Sequence, residues 1–101
     1  MKKVNNAEFE AAVSEGLVLV DFYADWCGPC KMLGPVLEEL ENEDKDFTLV
    51  KVNVDEEGEL AQKYGVMSIP AVFLFKDGQV VKNSVGFRAK EAMRDFKNSA
   101  K

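Results

Sequence analysis

The sequence predicts an α/β fold, a mixed β-sheet with helices packed on it. Three observations carry that expectation. Short apolar runs alternate with segments of helical period along the chain. The run Leu17–Tyr23 is apolar on both faces, which suits a central strand covered from both sides. Asp77-Gly78 separates two further β runs and is a strong hairpin signal, so the last two strands should be antiparallel.

The elements follow in order. Asn6–Val13 reads as a helix, capped by Asn5 or Asn6, with Phe9, Ala12 and Val13 on one face and Gly16 as its stop. Leu17–Tyr23 is the first clear strand; a short strand around Lys3-Val4 would precede it. Cys30–Glu41 reads as a helix with Leu33, Val36, Leu37 and Leu40 aligned, and Pro35 inside it predicts a kink, not a stop. Thr48–Val54 is a strand, and Glu59–Tyr64 a short helix closed by Gly65. Ala71–Phe75 and Gln79–Val85 form the hairpin, and Ala89–Asn98 is the last helix, with Ala89, Met93 and Phe96 on its buried side. Phe22, Phe73, Leu74, Phe75 and Val80 read as core. Met32 and Met67 read as gap fillers near the functional motif.

Composition narrows the function. A chain of 101 residues supports one core, so residues 1–101 are expected to form one domain. With 47% hydrophobic and 10% aromatic residues it is not a disordered chain. It contains no histidine, which removes triads, imidazole bases and imidazole-built zinc sites. A net charge of −5 argues against phosphate neutralisation, so no nucleic-acid partner is expected. The acidic residues between Glu38 and Glu59 read as a solvated face. No apolar run approaches membrane-spanning length, and polar residues follow Met1-Lys2-Lys3 where a signal peptide would turn apolar. The expectation is a cytoplasmic chain with no membrane partner.

The chemistry concentrates in Trp26-Cys27-Gly28-Pro29-Cys30, where a buried strand ends and a helix begins. Free N–H groups and the positive dipole end of a helix stabilise a thiolate. Cys27 lies at or before the first turn and gains most; Cys30 lies one turn inward. Across one turn the two sulfurs come within disulfide reach. Cys27 is therefore expected to be the exposed nucleophile that attacks a substrate disulfide, and Cys30 the thiol that resolves the mixed disulfide. Gly28 leaves the backbone open to a substrate chain, Pro29 pre-sets a first helical turn, and Trp26 offers an amphipathic surface. A Cys-x-x-Cys pair can also be half of a zinc or iron–sulfur site, but such sites usually take four protein ligands. With no histidine and no third cysteine, only a dimer or carboxylates would complete one. No metal is expected.

With this motif on the page, the chain resembles the thioredoxin family over nearly its whole length. The residues that carry the resemblance run from Val20 to Met32, then Lys51-Val52-Asn53-Val54-Asp55, Tyr64 to Pro70, Phe75-Lys76-Asp77-Gly78, and Val85-Gly86. Tyr23 and Ala71 depart from the family's frequent Trp and Thr. The resemblance implies the thioredoxin fold, a central mixed five-stranded sheet in order 1-3-2-4-5 flanked by four helices. It implies a monomeric protein-disulfide reductase without a bound cofactor, serving disulfide-containing proteins and re-reduced by a thioredoxin reductase.

Further candidates surround the motif. Asp21 interrupts an apolar strand, so its pKa should rise or it should find a partner. It can relay a proton to or from Cys30, a role the resemblance supports. Lys51 interrupts the apolar strand Leu49–Val52; it either tunes Asp21 or snorkels to solvent. Pro70 follows Ile69 at a strand start. Residues alone favour a trans bond, whereas the resemblance implies a cis bond packed on the dithiol. Ile69 can pair its backbone with an extended substrate, and Gly86 can leave room for it, or both can be plain packing. With Trp26, Gly28 and Pro29 these would form a small apolar docking face. Competing functions are an oxidant or isomerase, a non-catalytic binding subunit, and a metal-bridged dimer. The Gly-Pro pair between the cysteines favours the reductant, by resemblance.

Overall fold

The computed structural model describes residues 1–101. In chain order the elements are β1 (Lys2–Lys3), α1 (Asn6–Val13), β2 (Leu17–Tyr23), α2 (Gly28–Glu43), β3 (Thr48–Asn53), α3 (Gly58–Lys63), β4 (Ala71–Lys76), β5 (Gln79–Val85) and α4 (Lys90–Asn98). The strands form one sheet in order β1-β3-β2-β4-β5. β2 is central, parallel to β3 and antiparallel to β4. The β4–β5 hairpin is antiparallel, as Asp77-Gly78 predicts. Both turn residues have positive φ, 49° and 86°, the backbone of a two-residue hairpin turn.

Strand alternation divides the core. From β2, Val18, Val20 and Phe22 face one side and meet Phe9 and Val13 of α1, Leu60 of α3, and Phe73 and Phe75 of β4. Five aromatic rings, Phe9, Phe22, Tyr64, Phe73 and Phe75, pack there with centroids 5.3 to 6.5 Å apart. Leu19 faces the other side and meets Leu33, Leu37 and Leu40 of α2 and Met93 and Phe96 of α4. Each fully buried Phe or Leu contributes roughly 1.5–3 kcal/mol. The same parity sends Asp21 and, on β3, Lys51 toward the α2 face, in register with each other. Thus strand pairing puts a carboxyl and an ammonium on the side of the sheet that holds the cysteines.

Local signals set the helix boundaries. Asn5 caps α1 in a reciprocal capping box: its side chain accepts from the Glu8 N–H at 2.9 Å, and Glu8 accepts from the Asn5 N–H at 3.0 Å. α2 starts two residues earlier than periodicity suggests, at Gly28, because Cys27 itself is the N-cap and Pro29 fits the first turn. It runs through Pro35 to Glu43. The short strand expected around Lys3-Val4 forms at Lys2–Lys3; Val4 follows it into the aromatic core, its N–H still donating to the Lys51 carbonyl at 2.9 Å. One expectation needs correcting. Val80 is not core: it is 44% exposed, because β5 is an edge strand to which neither face's main core extends.

Candidate active site

The site sits at the C-terminal end of β2, where the chain leaves the sheet and enters α2. Cys27 and Cys30 are joined as a disulfide, with Cα atoms 5.2 Å apart. Cys27 caps α2: its Sγ accepts the Cys30 N–H at 3.2 Å, and its carbonyl accepts the Lys31 N–H at 3.2 Å. A charge on that sulfur lies at the positive end of a sixteen-residue helix and accepts a helical N–H. Cys30 sits one turn inward, without that cap position.

The expected exposure of Cys27 needs correcting. Cys27 is 4% exposed and Cys30 5%, so in the disulfide form accessibility does not separate them. The reason is the neighbouring packing: both sulfurs share a small cluster with Ala24, Tyr23, Val54 and Ile69. What separates them is position on the helix.

The Ile69-Pro70 loop closes the other side. The peptide bond between them is cis, as the resemblance implies and residue statistics do not. Cys27 Sγ lies 3.9 Å from the Ile69 carbonyl oxygen. Pro70 is buried and Ile69 half-buried. The Gly86 N–H donates to the Pro70 carbonyl at 2.8 Å, which ties the end of β5 to the loop. Gly86 has φ +94°, a backbone region that favours glycine. The structure therefore brings Ile69, Pro70 and Gly86 together beside the dithiol, while Gly28 and Pro29 remain exposed.

Trp26 is 70% exposed, but its ring is not free. Its indole N–H donates to Asp55 Oδ2 at 2.8 Å. Asp55 is held in turn by Asn53, whose buried side-chain oxygen accepts the N–H groups of Asp55 and Glu56 at 2.9 and 3.3 Å. Sequence reading missed both roles. The only signal was that Asn53 and Asp55 lie in one of the segments that carry the family resemblance.

Asp21 is 2% exposed, and its Oδ1 has no hydrogen-bond partner in the protein. Burial pushes its carboxyl up to about 7, and the attraction of Lys51 offsets part of that rise. Lys51 does not form a direct ion pair with Asp21; its Nζ stands 5.3 Å from the Tyr23 ring centre. A cavity of about 400 Å³ runs along this side, with Asp21, Cys30 and Lys51 in its wall. So Asp21, Lys51 and Cys30 share one space. No three His, Cys, Asp or Glu side chains converge in a metal-holding group. No helix is long and apolar enough to cross a membrane.

This arrangement has known counterparts. The thioredoxin family model matches residues 1–99. Thioredoxin from Bacillus subtilis strain 168 is 56% identical over 97 residues, covering 95% of this chain and 93% of that one. Thioredoxin from Listeria monocytogenes is 48% identical over 99 residues, covering 97% and 96%. Among solved structures, Plasmodium falciparum thioredoxin superposes with a TM-score of 0.92 at 34% identity, covering all of both chains. A mutant thioredoxin from Halobacterium salinarum NRC-1 gives 0.89 at 40% identity, covering 97% of this chain and 89% of that one. A helix-capping cysteine pair on this sheet, matched along nearly its whole length, has one reading: the chain belongs to the thioredoxin family of thiol–disulfide oxidoreductases.

Proposed function

We propose that Cys27 is the attacking thiolate and Cys30 the resolving thiol of a protein-disulfide reductase. Reductase function itself accords with the family and with the disulfide-forming pair. The observation that carries the assignment of roles is the N-cap: Cys27 Sγ, not Cys30 Sγ, accepts a helical N–H. In the reduced protein the Cys27 thiolate attacks one sulfur of a substrate disulfide. The substrate's S–S bond breaks, a Cys27–substrate disulfide forms, and the first substrate sulfur leaves as a thiolate. Cys30 then loses its proton and attacks Cys27 Sγ. The mixed disulfide breaks, the second substrate thiolate leaves, and the Cys27–Cys30 bond remains.

Asp21 takes the Cys30 proton through the shared cavity and later returns it to solvent. A carboxyl near 7 suits this work, since it exchanges protons readily at neutral pH. Lys51 tunes Asp21 by charge across the strand pair. Trp26, Gly28, Pro29, Ile69, Pro70 and Gly86 form the docking face, with Ile69 offering backbone to an extended substrate. Residues 1–101 act as one thioredoxin domain, a monomer in the cytoplasm. A thioredoxin reductase and disulfide-containing proteins are its partners; nucleic acid and membrane are not.

The test is insulin reduction coupled to a thioredoxin reductase, with the Cys27–Cys30 potential measured against a dithiol buffer. Turnover, a potential near about −270 mV and a mixed disulfide trapped by Cys30→Ser are expected. A potential near about −120 mV would make the protein an oxidant and reverse the proposed electron flow. Rapid turnover by Cys30→Ser would remove the two-thiol scheme.

A further inference from the structure

Gly34 is out of place by the ordinary rules of helices. It lies in the middle of α2, and only proline is a poorer helix former. Its surroundings do not require it. Its φ is not positive, and a Cβ added there would meet no heavy atom within 4 Å. Backbone and packing alike accept alanine. What distinguishes Gly34 is its place in the wall of the molecule's single cavity, the one that also holds Asp21 and Cys30.

The groups facing this space come from every neighbouring element. Met1 arrives from the N-terminus, its ammonium paired with Glu41 at 3.0 Å, Lys51 from β3, Tyr23 and Asp25 from the end of β2 and the loop after it, and Lys31 and Glu38 from α2. Lys31, Glu38 and Asp25 are exposed, and Asp21 is buried, so the cavity runs from a charged rim to a carboxyl with an unpartnered oxygen. Lys31 and Glu38 are seven residues apart on α2, and Gly34 lies between them, on the inside of that rim. The space, about 400 Å³, is ample for water, and its polar walls supply the partners that water needs.

We propose that Gly34 is a positioning residue that, by carrying no side chain, keeps open the water passage between Asp21 and solvent. The proposal rests on the reading of Asp21 as the proton carrier for Cys30, and deepens it. Each resolution step delivers one proton from the Cys30 thiol to the Asp21 carboxylate. In the oxidised protein that proton equilibrates with solvent until re-reduction restores the Cys30 thiol, and water is its vehicle. A side chain longer than a methyl group at position 34 takes the water's place. It lengthens the proton's route and strips the carboxylate of its solvation.

The experiment compares Gly34→Ala, Gly34→Leu and Gly34→Gln, the last keeping a soluble, polar side chain should the leucine variant fold poorly. Two quantities are read: the Asp21 carboxyl titration by carbon NMR on the oxidised protein, and the single-turnover rate of mixed-disulfide resolution by stopped flow. In the Leu and Gln variants the Asp21 midpoint should rise by about one pH unit, as for further desolvation. Resolution at pH 7 should slow about tenfold in both. The alanine variant should keep the parental Asp21 midpoint. Parental midpoint and parental rate in both long-chain variants would overturn the inference. So would a shifted midpoint with parental resolution, if Asp21→Asn slows resolution. If Asp21→Asn itself resolves at the parental rate, the proton-carrier reading fails; a shifted midpoint would then show that position 34 controls access to a carboxyl with no part in resolution.

Discussion

Two buried charges in this molecule are treated in opposite ways. Asp21, under the dithiol, is 2% exposed and has an oxygen without a partner. Lys97, on α4 at the far end of the same helical layer, is 1% exposed and fully engaged. Its ammonium donates to Asp44 and Asp46, each at 2.8 Å, and stands 5.2 Å from the Phe47 ring centre. Around it Arg94 reaches Glu43, Asp44 and Glu91, Lys90 reaches Glu39 and Glu43, and Lys101 reaches Asp46. The Lys97 end is a latch that ties α4 to the end of α2. The Asp21 end is a liability in stability terms, because a buried charge without a matching partner costs free energy. One charge serves the fold; the other weakens it, and in the proposed scheme carries the proton of the resolving step.

The sharpest way to break this comparison is chemical. Cys27→Ser should lower insulin reduction by at least about a thousandfold, since no thiolate remains in the capping position. Its urea unfolding should shift only by the loss of the disulfide from the oxidised form. The reduced proteins should then unfold at similar urea concentrations, placing Cys27 with chemistry and not with the latch.

Next comes stability at the two buried charges, with opposite signs. Burial holds the Asp21 carboxyl near 7, against 3.8 for a free one. The folded protein therefore holds that proton more tightly than the unfolded chain. This group's contribution to stability is full below about pH 4 and is lost as pH rises to about 7 and beyond. At pH 8 the loss reaches about 4 kcal/mol by this reckoning. Asp21→Asn should recover most of it at pH 8 and little at pH 4, read from urea midpoints at both, while slowing Cys30 resolution. Equal gains at the two pH values would mean that ionisation of Asp21 is not the cause. Lys97→Ala should instead destabilise by about 2–3 kcal/mol near pH 7, leaving two carboxylates without their shared cation. Its turnover per folded molecule should match the parent; a slowed resolution step would tie the latch to the site.

A smaller effect concerns docking. Asp55→Ala removes the acceptor for the Trp26 indole N–H and should raise KM for a protein disulfide two- to fivefold, with kcat little changed. A small disulfide that does not span the docking face should be reduced at the parental rate. The smallest effect belongs to the exposed rim of the latch. Lys90→Ala should lower the urea midpoint slightly, and the difference should fade in high salt.

Much of this was legible in the residues. The helix cap, expected at Asn5 or Asn6 and found at Asn5, the hairpin at Asp77-Gly78 and the leucine face of α2 are local patterns, and each appears where its pattern lies. The dithiol was legible because its function depends on adjacent residues at a strand-to-helix junction. Asp21 was legible as a polar residue in an apolar run. Other features were not. Trp26 meets Asp55 across 29 positions, and Lys97 meets Asp44 across 53. Val80 satisfies the β pattern, yet the pattern does not say that its strand lies at the edge. Gly34 passed without remark, because a glycine in a helix looks like a minor cost until its neighbours across space are known.

The sequence by itself determined the alternation of elements, the chemistry of the cysteine pair and the presence of a charge inside β2. These follow from hydrophobic period, turn preference and the reactivity of thiols at a helix start, all of which act over a few residues. Tertiary structure alone decided which charge found a partner and which did not. It also decided that both cysteines are covered, that the Ile69–Pro70 bond is cis beside them, and that a cavity joins Asp21, Cys30 and Gly34. The reason is that desolvation and ion pairing depend on distances between segments remote in sequence. Those distances exist only once β2 has taken its place at the centre of the sheet.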